Sequence, residues 1–314
     1  MTASSPLAVV GNVNVDLVMG PVAPWPQPGT EIVVDHSDLR FGGAAGNVAL
    51  TWRALGHDFQ IAANTGRDAL GEWLRTGFAP QSGTWPVSDA ATTISVGLTH
   101  PDSERTFFTT RGHVVDLSWP EVRAMIDWPR LSGGMLLVCG TFVTDGLTGD
   151  YDALFAHARS HGARIALDTG WPVAGWTPAT VRRVRGWLSQ CDCLLLNEVE
   201  TRELSGGHAP EAAPSALLPL MPDGALVVVK CGADGVVAGN GGSAVLRVPA
   251  PKVTAADTIG AGDIFNAAFL AARAESRPLP ACLEAGVRTA STAISTSPRR
   301  YGGGGAAPIE GASA

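Results

Sequence analysis

The chain has 314 residues, of which 45% are hydrophobic and 16% are charged. This balance predicts a globular protein with a substantial core, either one large domain with a small appendage or two domains. The net charge of −7, without any basic run, argues against a nucleic-acid partner.

Neither a targeting segment nor a disulfide framework is expected. The amino terminus has no positive n-region, and no stretch approaches the ~20 apolar residues that span a bilayer, so we expect no membrane partner. The five cysteines are odd in number and lie mostly in apolar runs, as in "GMLLVCG". They are typical of buried reduced thiols, and the sequence therefore predicts a cytoplasmic protein.

The first predicted elements are two strands, at 7–19 ("LAVVGNVNVDLVM") and 31–35 ("EIVVD"). A loop rich in Pro and Gly separates them. Within the first strand, Asn14 and Asp16 occupy alternate positions and therefore lie on one face. The side chains of Asn14 and Asp16 are thus expected to point to the same side of the strand.

A helix is predicted next, within "RFGGAAGNVALTWRALG" at 40–56. Gly42 and Gly43 precede it, Asn47 lies one turn inside it, and Gly56 is a helix stop. The chain therefore places a pair of glycines directly before a helix, a pattern that returns near residue 260.

Two regions, at about 11–40 and 91–114, are strand-like but are not interleaved with helices. "TTISVGLTH" and "RTFFTTRG" resemble a hairpin more than a βαβ unit. We expect these regions to form a small β-sheet lid, and we expect a homodimer that assembles through this lid.

The rest of the chain alternates between short apolar runs and helical segments. The apolar runs are "GMLLVCG", "ARIALDTG", "CDCLLLNE" and "ALVVVKCG", and the helical segments are 150–161, 178–189, 199–206 and 211–220. Runs that are apolar on both faces are typical of parallel strands covered by helices on each side. The sequence predicts an α/β fold with a doubly wound, mostly parallel sheet flanked by helices, in a single domain over 1–314 with a flexible tail at 304–314.

Polar residues follow two of these apolar strands. "NEVE" supplies Asn197 and Glu200, and "VVVKCGADGV" ends in a turn that contains Lys230, Gly232 and Gly235. Ligands collect at the carboxyl ends of strands in open α/β sheets, so these residues are candidates for a binding site.

The segment "ADTIGAGD" at 256–263 runs into the helical pattern "IFNAAFLAA". The first amides of a helix have no intrahelical acceptor, and Gly260 and Gly262 remove the Cβ atoms that would keep an anion away from them. In the first turn, Asp263 can accept a proton from an alcohol that attacks a phosphate held there. The motif alone is equally consistent with an ordinary helix start capped by Asp263.

Together these segments resemble the ribokinase-like (PfkB-type) carbohydrate kinases over nearly the whole chain. "DTIGAGDIFNAAF" is similar to the carboxy-terminal signature of that family, and "PGTEIVV…FGGAAGNVAL" is similar to its amino-terminal one. The resemblance implies a ribokinase-like fold and an ATP-dependent kinase that phosphorylates a hydroxyl of a small sugar or sugar acid of the ribose, fructose or 2-keto-3-deoxygluconate type.

The resemblance also implies roles for individual residues. Asp263 would be the general base. The anion hole would be formed by Gly260, Ala261 and Gly262. The sugar would be bound by Asn14, Asp16, Gly42, Gly43 and Asn47, and ATP would be bound by Asn197, Glu200, Lys230, Gly232 and Gly235. Glu200 would organise Mg²⁺ through water, and Asp257 with carbonyls near 294–303 would form a monovalent-cation (K⁺) site. The segment "STSPRRYGGGG" departs from the usual loop of the family and puts the dependence on K⁺ in doubt.

Several alternatives stay open. A nucleoside kinase on the same scaffold could stack the base on Trp25, Trp171 or Phe107, and a non-catalytic sugar- or nucleotide-binding regulator could have kept the fold. Arg105 and Arg111 either contact an acidic or phosphorylated sugar or are edge-strand charges that block aggregation. Asp168 and Trp171 are weak candidates for the sugar side.

Overall fold

The computed structural model describes residues 4–101, 105–241 and 244–302. The strands are β1 Leu7–Val10, β2 Asn14–Gly20, β3 His36–Gly42, β4 Gln60–Ala62, β5 Thr65–Gly66, β6 Val87–Ser88, β7 Ile94–Thr99, β8 Arg105–Thr109, β9 Met135–Val138, β10 Arg164–Leu167, β11 Cys193–Asn197, β12 Leu226–Lys230, β13 Val236–Gly239 and β14 Leu246–Val248. The helices are α1 Ala44–Ala54, α2 Ala69–Gly77, α3 Trp119–Met125, α4 Asp145–Thr148, α5 Tyr151–Ser160, α6 Pro178–Trp187, α7 Glu198–Ser205, α8 Ala213–Leu217, α9 Ala261–Ala274 and α10 Leu279–Ile294. The predicted tail at 304–314 lies outside the described residues.

The central sheet confirms the predicted α/β fold. Within the described ranges it has eight strands in the order β14-β13-β12-β11-β10-β9-β1-β4. All neighbours from β4 to β12 are parallel, whereas β13 and β14 add an antiparallel edge. The predicted apolar runs form β9 to β12, and each is almost wholly buried because helices cover both faces.

Each face of the sheet has its own apolar core. On one face, side chains of α1, α9 and α10 pack on alternate strand residues, and Trp52 and Phe269 are among the largest fully buried side chains. The other face is covered by α5, α6 and α8, and Tyr151 and Phe155 are among its largest fully buried side chains. The first of these layers determines the site, because it brings α1 against α9. No helix within the described ranges is long and apolar enough to cross a bilayer.

A second sheet, here called the lid sheet, consists of β2, β3, β7 and β8 in the order β3-β2-β7-β8. The predicted hairpin is present as the antiparallel pair β7 and β8. Directly paired residues share a face. One face therefore carries the polar row Arg40, Asp16, Ser95 and Thr109, and the opposite face carries the apolar row Leu39, Leu17, Val96 and Phe108.

Two strand predictions near the amino terminus were wrong in detail. The run 7–19 forms two strands in different sheets, and the break falls at Gly11, where an added Cβ would lie 2.4 Å from the Cys139 carbonyl oxygen. The run 31–35 is not a strand, and Val33 within it is 89% exposed. The antiparallel partner of β2 is instead 36–42, in which polar and apolar residues alternate over 38–41 with the period of a strand.

Candidate active site

The candidate site lies at the carboxyl ends of the central strands, beneath the lid sheet. Asp168 directly follows β10, Asn197 ends β11 and Lys230 ends β12. The lid sheet contacts the segment that precedes α9, because Arg105 Nη1 donates to Thr258 Oγ1 at 2.7 Å. Gly97 of β7 also lies against Ile259, with room for no side chain between them. The predicted residues from both sheets therefore converge on the start of α9.

The start of α9 is an open helix terminus. Gly260 is its N-cap with φ 76°, and no side chain caps the helix. The amide of Ala261 donates to the Thr258 carbonyl oxygen at 3.2 Å. Among the described residues, the amides of Gly260, Gly262 and Asp263 have no protein acceptor. The amides free for an anion therefore differ from the predicted set, because Ala261 is already engaged and Asp263 replaces it.

Asn47 positions the carboxylate of Asp263. Because α1 packs on α9, Asn47 Nδ2 reaches Asp263 Oδ2 and donates to it at 2.9 Å. One turn further on, Trp52 Nε1 donates to the Ala267 carbonyl oxygen at 2.8 Å and fixes the same helix pair. Asn47 was predicted to contact a sugar, and the described contacts give it this positioning role, with its Oδ1 buried and without a hydrogen-bond partner.

The charge environment of Asp263 favours its neutral form. Burial raises its pKa to about 7, the negative charge of Asp168 adds to this effect, and the Asn47 hydrogen bond and Lys230 partly oppose it. The shift corresponds to roughly 4 kcal/mol between the two protonation states. A carboxyl group with a pKa near neutrality can both take and release a proton at physiological pH.

Lys230 and Asp168 form a buried ion pair at the centre of the site. Lys230 Nζ donates to Asp168 Oδ2 at 2.6 Å and to Asn266 Oδ1 at 3.2 Å, while Asn266 Nδ2 donates to Asp168 Oδ2 at 2.5 Å. Burial acts to lower the pKa of Lys230, but Asp168 and Glu200 outweigh it and keep that pKa above its usual value. A Cβ on Gly262 would lie 3.4 Å from Lys230 Nζ, so this ammonium borders the open helix terminus.

The sequence analysis gave too little weight to the group formed by Lys230, Asp168 and Asn266. Asp168 was a weak candidate for the sugar side, and Asn266 was given no role. The spacing could have identified Asn266 as a site residue, because it lies three residues after Asp263 on one helix and therefore on the same side of that helix. The partner of Asn266 comes from β10, and no local pattern reports that contact.

Glu200 and Asn197 form a capping box at the start of α7. Asn197 N–H donates to Glu200 Oε2 at 2.8 Å, and Glu200 N–H donates to Asn197 Oδ1 at 2.9 Å. Burial and the nearby charge of Asp168 raise the pKa of Glu200 to about 8, although Lys230 lowers it in part. Three carboxyl groups, those of Asp168, Glu200 and Asp263, thus act on one ammonium, that of Lys230. Among the described residues, no cluster of three acidic, His or Cys side chains is arranged to hold a metal ion directly.

Three of the sugar-binding candidates, Asn14, Asp16 and Gly42, lie on the lid sheet. Asn14 Nδ2 donates to Asp16 Oδ1 at 2.8 Å, which confirms that the two side chains share a face. Asn12, which the sequence interpretation did not single out, orients Asn14 by donating to its Oδ1 at 2.7 Å. A Cβ on Gly42 would overlap the Asp16 carboxylate at about 2.1 Å, so only glycine fits beside it. Burial raises the pKa of Asp16 to about 6, although Arg40 acts to lower it.

The chain matches the family model described as pfkB family carbohydrate kinase over residues 5–301. It belongs to this family.

Among curated relatives, the ribokinase of Haemophilus influenzae is 25% identical over 92% of both chains. The 1-phosphofructokinase of Rhodobacter capsulatus is 28% identical over 76% of this chain and 74% of its own. The solved structure of Arabidopsis thaliana ribokinase complexed with ribose and ATP has a TM-score of 0.73 at 22% identity and covers 93% of each chain. The resemblance and the carbohydrate kinase activity that it implied are confirmed.

Three other candidate residues of this carbohydrate kinase, Gly43, Gly235 and Arg111, have structural explanations, whereas Gly232 and Trp171 have none. Gly43 is the N-cap of α1, and its φ of 86° favours glycine. A Cβ on Gly235 would lie 2.0 Å from the Val248 carbonyl oxygen, so strand packing explains this glycine, whereas Gly232 has open space around it. Arg111 pairs with Asp145 at the surface, and Trp171 is 64% exposed.

The candidate cation ligand Asp257 is already bound by two guanidinium groups and one amide. Its Oδ2 accepts from Arg40 Nη1 at 2.5 Å and from Arg299 Nη2 at 2.6 Å, and its Oδ1 accepts from the Ile259 amide at 2.8 Å. The Ile294 carbonyl oxygen accepts from the amides of residues 256 and 257. These oxygens do not fit the expected monovalent-cation site, because two guanidinium groups already place positive charge on the Asp257 carboxylate.

Proposed function

We propose that this carbohydrate kinase transfers the γ-phosphoryl group of ATP to a hydroxyl of a small sugar or sugar acid, with Asp263 as general base. The observation that carries the proposal is the position of Asp263. Its Oδ2 is held by Asn47, its Oδ1 has no protein hydrogen bond among the described residues, and the free amides of Gly260 and Gly262 lie beside it in the same turn.

The proposed step balances without a further reactant. The acceptor hydroxyl gives its proton to Asp263 Oδ1, and its oxygen forms a bond to the γ-phosphorus. The bond between that phosphorus and the β,γ-bridging oxygen breaks, and ADP leaves. The amides at the start of α9 donate to the phosphoryl oxygens, and they need no reorganisation as charge develops there. Lys230 lies close enough to Gly262 to stabilise the same charge.

Glu200, through water, and Asn197 would hold Mg²⁺ near the ATP phosphates. A magnesium ion supplies charge neutralisation on those phosphates when it is bound. The fit rests on the Glu200 carboxyl group, whose pKa is raised mainly by burial and further by the negative charge of Asp168. Because one Glu200 oxygen already serves the capping box, a water-mediated contact suits this donor set better than direct ligation.

On the acceptor side, Asp16 and the lid row that contains Arg40, Ser95 and Thr109 would contact the sugar. A carboxylate and hydroxyl groups are natural partners for vicinal hydroxyls. Ser95 Oγ and Thr109 Oγ1 lie 2.9 Å apart, and the row is polar across all four strands of the lid sheet. Ribose-, fructose- and 2-keto-3-deoxygluconate-type acceptors are all consistent with this surface. Of the three aromatic residues considered for a nucleoside base, Trp171 is largely exposed and Trp25 stacks on Phe108 of the opposite lid face. Phe107 shares the lid face of Asp16 and is the one that supports the nucleoside alternative.

We also propose a cytoplasmic location. All five cysteines are buried free thiols, as the sequence predicted. Unpaired thiols are typical of a reducing compartment.

A homodimer through the lid sheet is the proposed assembly. The face opposite Asp16 carries Leu17, Val96 and Phe108 in one row, and Phe108 is 53% exposed. An apolar sheet face of this kind becomes buried when a second copy packs against it.

Asp263→Asn should lower kcat by roughly 100- to 10,000-fold in an ADP-release assay with a panel of the three sugar types and adenosine, because it removes the base. ADP binding, measured by calorimetry, should survive. For the wild type, kcat/KM should rise as pH increases through about 7, because only ionised Asp263 accepts the proton.

The matched control is Asp152→Asn on the exposed side of α5, which should keep wild-type turnover. Wild-type turnover in Asp263→Asn would contradict the assignment of the base and would favour a binding protein over an enzyme.

Gly262→Val should abolish turnover, because its side chain fills the space between the helix terminus and Lys230. A Cβ there lies at an ordinary contact distance, so we expect the fold to survive. Gly186→Val, at an exposed helix position with open space, is the control for the loss of a helical glycine. Normal kcat in Gly262→Val, measured in the same assay, would refute the anion hole.

Phe108→Glu should convert the dimer to a monomer in light scattering coupled to size-exclusion chromatography, because it places a charge within the apolar row. Phe107→Glu is the matched control, since the adjacent strand residue faces the other side of the lid sheet. A monomeric wild type, or dissociation by both variants alike, would contradict this assembly.

A further inference from the structure

The segment 257–259 forms the approach to α9, and its oxygens converge on one guanidinium. Arg299 Nη2 donates to the Asp257 carbonyl oxygen at 2.9 Å and to Asp257 Oδ2 at 2.6 Å, and Nη1 donates to the Ile259 carbonyl oxygen. The Arg299 side chain is only 5% exposed. One buried cation thus binds a carboxylate and two main-chain carbonyls.

A carboxylate together with main-chain carbonyls is also an oxygen set that suits a hard metal cation. A second guanidinium, from Arg40, binds the same carboxylate oxygen, so the neighbourhood already holds two positive charges around Asp257. A metal ion placed there would meet like charge on two sides and would have to displace existing donors. The site is therefore complete without a metal.

The guanidinium also determines where the Gly260 amide points. The Ile259–Gly260 peptide is trans, so its carbonyl oxygen and its N–H lie in one plane and point in opposite directions. Because Arg299 binds the Ile259 oxygen on one side, the N–H of Gly260 faces the other side, where it is free of protein acceptors. Gly260 allows this arrangement with φ 76°, and its position lies against both Asn47 and Arg299.

We propose that Arg299 is a built-in replacement for a monovalent cation: it positions the 257–259 carbonyls, and through them the Gly260 amide, so that this kinase works without K⁺. The inference rests on the proposed anion hole at the start of α9. Arg299 is a positioning residue, since it acts through the peptide that it binds.

The first test uses the wild-type protein without turnover. Its melting temperature and its affinity for ADP should be the same in KCl, NaCl and tetramethylammonium chloride at equal ionic strength. A melting temperature or an ADP affinity that rises specifically with K⁺ would overturn the inference. This readout needs no sugar, so its failure is distinct from a failure to find any phosphorylated acceptor, which would count against the proposed function.

The second test is substitution. Arg299→Met should lower kcat by roughly 100-fold, the effect expected when one anion-hole donor is misplaced, with a smaller change in KM. Arg299→Lys, which restores the charge, should recover part of the loss, and added K⁺ or guanidinium should stimulate Arg299→Ala but not the wild type. Arg300→Met is the matched control, because Arg300 is the exposed neighbour in the same loop, and its kcat should not change.

An Arg299→Met enzyme with wild-type kcat would overturn the inference, as would K⁺ stimulation of the wild type. If Arg299→Met fails to fold, the inference is tested by the kcat of the Arg299→Lys variant and by the comparison of cations with the wild type.

Discussion

The hydrogen bond from Asn47 to Asp263 joins the two glycine-preceded helices of this kinase, and the rest of the site depends on it. α1 supplies the amide and α9 supplies the carboxylate, 216 residues apart in sequence. Packing of these helices on one face of the central sheet brings them together, and the Trp52 bond to the Ala267 carbonyl fixes them one turn deeper. The geometry of the proposed base is therefore a consequence of core packing.

Around this contact the protein gathers more negative than positive charge. Asp168, Glu200 and Asp263 share Lys230, and burial together with mutual repulsion raises the pKa values of Glu200 and Asp263. Such an arrangement costs stability in the free protein, because desolvated carboxylates repel one another. Perturbed carboxylates of this kind are typical of functional sites, where a bound cation and a transferred proton relieve the repulsion.

Short-range patterns predicted the elements that carry the site better than the contacts between them. The apolar runs gave β9 to β12, and the glycine pairs gave the starts of α1 and α9 within a residue or two. Asp16, Asn47 and Asp263 were identified from motifs, but the pairing of Asn47 with Asp263 was not, because it depends on helix packing. The roles of Asn266 and Arg299 likewise depend on partners distant in sequence. The run 31–35 was predicted as a strand because of its β-branched residues, but it is exposed and pairs with no other strand among the described residues.

The most direct measurement is a crystal structure of the protein with magnesium, a non-hydrolysable ATP analogue and a sugar acceptor. The account predicts the γ-phosphate on the amides of Gly260 and Gly262, and an acceptor hydroxyl within hydrogen-bond distance of Asp263 Oδ1. A triphosphate bound away from the start of α9, or a helix terminus closed by side chains, would contradict it.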